Sequence, residues 1–280
     1  MSLRNKDKQH YYNLKKGYEG ELLFDSLTQN LESEVFILND LLFKLNQTVF
    51  QIDSLIITSE TIYLFEVKNY EGDYYYDSDR LYKRPKTEIS NPLNQLRRNE
   101  SLLRQLLENL KFDMPISGSV VFINPEFTLY QAPINTPFIF PTQVRRYLKN
   151  LNSSPSHLNG KHKLLADKLI SLHIKDSPYK LLPSYDYELL RKGLTCEKCA
   201  SFSVIDKEKF YICSHCGHEE GAENALMRSV KEFQLLFPDW SISTNIIHEW
   251  CNAAKSKKSI RRILRKNFKA VGVHQWTFYE

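Results

Sequence analysis

The chain has 280 residues, of which 42% are hydrophobic and 25% are charged, the composition of a folded protein with more than one domain. Its net charge of +5 is mild. The polar start lacks the apolar segment of a secretory signal, and no apolar run is long enough to cross a membrane. Composition therefore excludes the membrane and secreted classes, and we predict a cytoplasmic protein.

The first predicted element is a helix over residues 17–31. Gly20, Leu23, Leu27 and Leu31 form one stripe along it. Glu21 lies beside this stripe, where it could reach a site at the buried edge of the helix. A solvated glutamate is the alternative, and Glu21 taken alone would favour it.

Three strand-like runs follow at residues 35–45, 49–58 and 61–68, rich in β-branched and aromatic side chains. Only Ser59 and Glu60 separate the second run from the third, which predicts a tight hairpin. A longer loop is the alternative, because this pair is not a strong turn sequence. A slip of one residue would move every side chain to the other face.

In the tight-turn register, Asp53 lies opposite Glu66 and Gln51 lies opposite Lys68, with all four side chains on one face. Two opposed carboxylates repel, and a divalent cation between them would remove the repulsion. Lys68 could then hold or activate a water, as in a metal-dependent phosphodiesterase. A solvated strand end is the alternative. It is weakened because the third run is apolar on both faces, as in a covered central strand.

The next elements complete a mixed α/β unit. Asn91 caps a predicted helix that has Pro92 at its first position and Gln95 near its start. A buried strand at 118–125 follows it, so the helix forms a crossover. The other predicted elements are edge strands at 74–76 and 80–82, an irregular stretch at 125–141 with a short strand at 138–140, and helices at 142–151 and 157–173.

Four motifs in this order resemble the nuclease-related domain (NERD) family, part of the PD-(D/E)XK nuclease superfamily. They are Gly17-x-x-Gly20-Glu21, Gln51-Ile52-Asp53, Phe65-Glu66-Val67-Lys68-Asn69 with Gly72, and Asn91-Pro92-x-x-Gln95. The resemblance covers roughly residues 12–125. It implies a restriction-endonuclease-like mixed sheet flanked by helices.

The resemblance also implies roles for individual residues. Asp53 and Glu66 would bind Mg²⁺ or Mn²⁺ with the carbonyl of Val67, and Lys68 would position or deprotonate the attacking water or steady the phosphorane charge. Glu21 would be an extra ligand or water anchor. The implied catalytic residues are Glu21, Asp53, Glu66, Lys68 and Gln95.

One departure is that Ile52 replaces the proline of the superfamily signature. The superfamily also contains members that have lost catalysis.

Four of the five cysteines form two tight pairs, Cys196-x2-Cys199 and Cys213-x2-Cys216. This spacing predicts a closed, structural zinc site in a zinc ribbon over residues 193–220, which needs the metal to fold. We expect His215 and His218 to be bystanders and Cys251 to be a buried apolar residue.

The last segment, 221–280, is predicted to form three short helices and a final strand at 273–279, a small winged-helix-like or helix-turn-helix module. No acidic residue lies between Glu249 and Glu280, which indicates a polyanion partner. A helical bundle with a solvated basic face is the alternative. The predicted nucleic-acid-binding residues are Lys257, Lys258, Arg261, Arg262 and Arg265.

The predicted organisation is a nuclease domain at 1–176 with its core at 12–125, a linker at 177–192, the ribbon at 193–220 and the basic helical domain at 221–280. The predicted function is an Mg²⁺-dependent endo- or exonuclease in DNA processing, repair or defence, with DNA rather than RNA as partner. A catalytically inactive nucleic-acid-binding or adaptor protein on a nuclease-like fold is the alternative. The presence of all four residues Glu21, Asp53, Glu66 and Lys68 favours the enzyme. A zinc-stabilised protein-interaction module is a third hypothesis.

Overall fold

The computed structural model describes residues 5–175, 183–252, 256–273 and 276–280. The chain divides into two compact units, Ser2–Pro183 and Ser184–Glu280. Residues 177–182 of the predicted linker at 177–192 lie outside the described part of the chain. Residues 183–192 are described, and Tyr187 there is buried in the core of the second unit.

The first unit contains α-helices and β-strands in mixed order, and the predicted α/β class is confirmed. Its elements are α1 (Asn5–Thr28), β1 (Phe36–Leu45), β2 (Thr48–Ile57), β3 (Ile62–Lys68), β4 (Gly72–Asp77), β5 (Arg80–Lys83), β6 (Thr87–Ile89), α2 (Pro92–Asn109), β7 (Ile116–Phe122), β8 (Phe127–Tyr130), β9 (Phe138–Ile139), α3 (Pro141–Ser153) and α4 (Gly160–Leu172).

A five-stranded mixed sheet forms the centre of this unit, in the order β1-β2-β3-β7-β9. The first three strands are antiparallel, and β7 and β9 are added in parallel. The chain passes through α2 on its way from β3 to β7, as predicted. A second sheet has the order β6-β5-β4-β8.

The central strand β3 is covered on both faces, as its two-sided apolar pattern predicts. Ile62 and Leu64 belong to one apolar core, together with side chains of α2 and α4. Phe65 and Val67 belong to a second core, with side chains of α1 and α3. The strand therefore lies in a layer where an ionised side chain needs a partner.

The second unit begins with a three-stranded sheet, β10-β11-β12, and continues with three helices. Its elements are β10 (Val204–Lys207), β11 (Phe210–Cys213), β12 (Glu219–Gly221), α5 (Ala222–Leu236), α6 (Thr244–Trp250), α7 (Lys257–Asn267), β13 (Ala270–Val271) and β14 (Phe278–Tyr279). One apolar core includes Tyr211 of the small sheet as well as Phe233 and Trp250 of the helices. The ribbon and the helices thus share a core.

Some elements differ from the sequence-based expectation. Helix α1 begins at Asn5 rather than near residue 17, and its first three turns bury no side chain. Strand β8 lies in the stretch predicted as irregular, where it pairs with β4. The predicted strand at 273–279 is reduced to β14, while residues 274 and 275 lie outside the described part. No described helix is long and apolar enough to cross a membrane.

Candidate functional site

The predicted register of the β2–β3 hairpin is confirmed from Ile57↔Ile62 to Ser54↔Phe65. The ladder ends there, one pair before Asp53 and Glu66. At that point Asp53 Oδ2 accepts the backbone N–H of Val67 at 2.8 Å, so a side chain takes the place of a strand carbonyl. The end of the ladder leaves room for the two carboxyl groups.

Both carboxyl groups are buried, with 8% of Asp53 and 0% of Glu66 exposed. Burial raises the pKa of Asp53, opposed by the charge of Lys68 and by the N–H of Val67. Burial and the charge of Asp53 raise the pKa of Glu66 to about 7, against the effect of Lys68. Burial and mutual repulsion therefore favour protonation of this pair, and a bound cation would compete with that protonation.

Lys68 lies beside this pair. Its Nζ donates to Glu66 Oε1 at 2.5 Å and to Gln95 Oε1 at 3.3 Å, so the predicted polar contact from α2 reaches the site. Burial alone would lower the pKa of Lys68, but the attraction of Glu66 outweighs it and raises the pKa. Lys68 is therefore an ammonium group at neutral pH.

Asn99 is a site residue that the sequence-based prediction missed. It is buried one helical turn after Gln95, and its Nδ2 donates to the backbone carbonyl of Gln51 at 2.8 Å and to Glu66 Oε2 at 3.4 Å. The amide thus fixes the strand beyond the end of the ladder and orients Glu66. The available signal was an amide four residues after Gln95, on the same face of α2.

Glu21 reaches the site because α1 passes close to the end of β3. A Cβ at Gly20 would lie 2.5 Å from Asn69 Cβ, so only glycine allows this approach. Asn69 Nδ2 donates to the carbonyl of Lys16 at 2.7 Å, which holds the helix in place. Burial, followed by the charges of Asp53 and Asp40, raises the pKa of Glu21 to about 7.

Two further carboxylates, Asp25 and Asp40, were also missed. Burial raises the pKa of Asp25, and the charges of Asp40 and Asp53 add to the shift. Asp40 lies on β1 with φ of 50°, between the ladder pairs that flank Asp53, and Gln51 Nε2 donates to its Oδ1 at 2.9 Å. The spacing of Glu21 and Asp25, two like charges one helical turn apart, was a usable signal.

Comparison with protein families matches residues 16–123 to the family model of the nuclease-related domain, NERD. This segment is similar to a nuclease-related domain. The match includes all five residues predicted for catalysis and covers α1 from its middle turns to the end of β7. Comparisons with curated proteins and with solved structures gave no match.

The donor set within the NERD match fits an oxygen-preferring cation. Asp53 and Glu66 are buried, and both have a raised pKa, so they are protonated more readily than ordinary carboxyl groups. Mg²⁺ is commonly held by one or two protein carboxylates, with water and substrate phosphate as its other ligands. Within the described residues, only the four cysteines bring three or more ligand atoms within 4.8 Å of one another. Asp53 and Glu66 are thus the two candidate protein ligands, and the charge of Asp53 also acts on Glu21.

The four cysteines fit zinc. Their Sγ atoms lie within 4.8 Å of one another, and the closest pairs are 3.6 Å apart, too far for a disulfide. Backbone N–H groups of Cys199 and Lys198 point at Cys196 Sγ, and those of Cys216 and His215 point at Cys213 Sγ. These donors stabilise thiolates, and four thiolates make a closed structural site.

The remaining predicted residues of the second unit lie where the sequence placed them. His218 Nε2 lies 3.4 Å from Glu197 Oε2. Cys251 is buried in the core that the ribbon and the helices share. Helix α7 turns its apolar residues inward and exposes the five predicted cations, Lys257, Lys258, Arg261, Arg262 and Arg265.

Proposed function

We propose that this protein is a nuclease that hydrolyses phosphodiester bonds with a bound divalent cation, Mg²⁺ or Mn²⁺. The observation that supports it most is the convergence of Asp53, Glu66 and Lys68 at the open end of the β2–β3 ladder, inside the NERD match. Burial of two carboxyl groups and one ammonium group costs free energy, and bound metal and substrate would offset that cost.

In this proposal Asp53 and Glu66 hold the cation, and Glu21 holds a water at its edge. When bound, the cation polarises the phosphate and lowers the pKa of a water that attacks phosphorus. The raised pKa of the carboxyl groups makes cation binding release protons, so binding tightens as the pH rises.

Lys68 is proposed to act as an ammonium group. It donates hydrogen bonds to the attacking water or to the phosphate oxygens, where negative charge grows during the reaction. Its raised pKa argues against a role as proton acceptor in this state of the site. Gln95 is proposed to orient the Lys68 ammonium, and Asn99 to orient Glu66.

The second unit is proposed to bind nucleic acid, DNA rather than RNA, through the exposed cations of α7, with the zinc ribbon as its structural base. The four thiols need a reducing compartment to remain metal ligands, which supports the cytoplasm as the proposed location. The proposed roles lie in DNA processing, repair or defence.

The test is cleavage of labelled single- and double-stranded DNA and RNA with Mg²⁺ or Mn²⁺, with wild type beside Asp53→Asn and Lys68→Met. We expect metal-dependent cutting that each substitution lowers by at least about 100-fold. Glu108→Gln on α2 and Lys44→Met on β1, both at exposed positions, remove the same charges outside the site. Both should cut like wild type.

Cutting that survives in both site variants would point to another centre or a contaminant. If folded wild type cuts none of the substrates with either metal, the enzyme proposal is overturned. Binding of the same substrates would then be measured for the inactive nucleic-acid-binding alternative.

A further inference from the structure

A cavity of about 300 Å³ lies in the second unit between the start of α6 and the start of α7. Its lining contains no carboxylate. The side chains that decide its chemistry are two lysines, an arginine, two hydroxyl groups and an amide: Lys257, Lys258, Arg261, Ser243, Thr244 and Asn245.

The walls of the cavity are held by contacts independent of any ligand. Ser243 Oγ accepts the backbone N–H of Ile246 at 3.3 Å and caps α6. Thr244 Oγ1 lies 3.2 Å from the hydroxyl of the buried Tyr279, whose N–H donates to the carbonyl of Ile242 at 2.9 Å. On the other side, Ile260 anchors α7 in the core. The cavity is therefore built into the fold.

The three cations that line this cavity form no ion pair with any described residue. Farther along the same helix the situation differs, because Lys266 Nζ donates to Glu223 at 2.9 Å. In the neighbouring cavity the two carboxylates are already engaged, since Lys192 Nζ lies 2.5 Å from Glu249 Oε1 and 3.4 Å from Glu188 Oε2. The positive charge of the cavity is thus not compensated by these groups.

The position of these cations costs the folded protein free energy. Arg261 lies three and four residues after Lys258 and Lys257, the spacings at which like charges repel on a helix. Lys257 and Lys258 also lie in the first turn of α7, at the positive end of its dipole, where cations are unfavourable. A bound anion would relieve both effects, whereas a cationic or apolar ligand would relieve neither.

We propose that this cavity binds one phosphate group of a nucleic-acid strand. Two ammonium groups, a guanidinium fork and two hydroxyl groups match the oxygens of a phosphate, and the volume leaves room for the attached sugar. Arg262 and Arg265 continue the exposed positive surface along α7 outside the cavity, so a strand can contact more of the helix than a free phosphate can. The inference rests on the proposed nucleic-acid partner, but not on catalysis at Asp53 and Glu66.

The test measures the affinity of the full-length zinc-bound protein for one oligonucleotide in two forms, with a 5′-phosphate or a 5′-hydroxyl, by fluorescence anisotropy without Mg²⁺. The cavity variant is Lys258→Gln with Arg261→Gln, and we expect it to weaken binding by about 10-fold or more. Arg262→Gln with Arg265→Gln removes the same number of cations from the same helix outside the cavity and should weaken binding by less than about five-fold. Zinc content and the melting temperature show that each variant is folded.

Inorganic phosphate is the competitor, compared with sodium chloride at equal ionic strength. We expect phosphate to displace the oligonucleotide from wild type better than chloride does, and this difference to vanish in the cavity variant. A preference for the 5′-phosphate form that the cavity variant loses would identify a terminal phosphate. Equal binding of both forms, weakened equally by that variant, would identify a backbone phosphate.

The proposal is overturned if the cavity variant weakens binding no more than Arg262→Gln with Arg265→Gln does and phosphate competes no better than chloride. The cations would then be a general basic surface. Wild type that binds neither oligonucleotide nor phosphate would also overturn it. Because the measurement involves no cleavage, a failed nuclease assay leaves its outcome unchanged.

Discussion

Glu21 has a pKa raised from 4.5 to about 7 because its partly buried carboxyl group faces the charges of Asp53 and Asp40. Between these two values the folded state holds a proton that the unfolded chain has released. The contribution of Glu21 to stability is therefore fully present below about pH 4.5 and is lost as the pH rises through about 7.

Glu21→Gln removes the carboxyl group whose ionisation lowers the stability of the folded state. In the absence of added divalent cation, we expect the variant to gain stability over wild type at pH 8 relative to pH 5, by on the order of 1 kcal/mol, since the group is only partly buried. Thermal unfolding at the two pH values measures the difference. Glu19→Gln, where the side chain faces Lys15 at 3.8 Å, is the control. If both variants gain the same stability at pH 8, the loss of stability at high pH does not come from Glu21 in the acidic site.

Replacement of Asn99 tests how much its hydrogen bonds at the site contribute to the stability of the fold. Asn99→Ala removes the donor to the carbonyl of Gln51 and to Glu66, of which Glu66 is fully buried. We expect a loss of about 1–3 kcal/mol in the free energy of unfolding, measured with urea. Asn94→Ala, on the exposed side of the same helix, should change it by less than about 0.5 kcal/mol. Similar losses in the two variants would count against the buried bridge.

The residues that sequence reasoning located are those whose position follows from a local period. Asp53, Glu66 and Lys68 share a face because strand side chains alternate, and the short turn defines the register. Asp40 could not be located in this way, because its approach to Asp53 depends on the pairing of β1 with β2 and on an unusual φ. The contacts of Asn99 could not be predicted either, because they depend on the distance between α2 and the sheet, which no sequence periodicity gives.

Helix α1 carries Glu21 to the sheet, and its two glycines make different contributions to that contact. A Cβ at Gly20 would lie 2.5 Å from Asn69 Cβ and 3.3 Å from Ile123, whereas a Cβ at Gly17 would meet nothing within 4 Å. Alanine has a higher helix propensity than glycine by about 1 kcal/mol at both positions. Only at Gly20 does a clash oppose this gain.

We therefore expect opposite signs from the two substitutions. Gly17→Ala should stabilise the protein by about 0.5–1 kcal/mol, and Gly20→Ala should destabilise it by about 1–3 kcal/mol because α1 must move away from β3. Urea unfolding measures both free energies. If the two alanines stabilise equally, the close contact between α1 and the end of β3 is wrong.

Elements with a buried apolar pattern were predictable, and elements without one were not. Helix α2 has an asparagine cap, an N-terminal proline and an apolar face, and it begins at Pro92 as predicted. The first three turns of α1 contain no buried side chain. Strand β8 owes its pairing to the neighbouring β4, so its sequence alone does not identify it.

At the scale of the whole molecule, the sequence separates a ribbon at 193–220 from helices at 221–280, because cysteine spacing and helical periodicity are independent signals. The structure joins them through one apolar core and through Arg228. The Arg228 guanidinium donates to Glu220 at 2.7 Å and to the carbonyl of Thr195 at 2.6 Å, linking α5 to the cysteine-containing segment. A shared core cannot be seen in local patterns, since it depends on contacts between distant residues.

The shared core predicts that zinc stabilises the whole second unit and not the ribbon alone. All three tryptophans lie in this unit, and Trp250 is buried against Tyr187 and Phe233, outside the cysteine cluster. Removal of zinc with a chelator, or by Cys213→Ser, should expose Trp250 and shift tryptophan emission to longer wavelength. Cys251→Ala, which changes the one cysteine outside the cluster, should retain zinc and the native emission.

The first unit has its own apolar cores, so its thermal transition should persist after zinc is removed. Far-UV circular dichroism follows that transition, while tryptophan emission follows the second unit. Zinc loss that leaves the emission of Trp250 unchanged would mean that the helices fold without the ribbon. The cavity between α6 and α7 would then form without the metal, whereas the shared core predicts that the proposed phosphate binding is lost together with zinc.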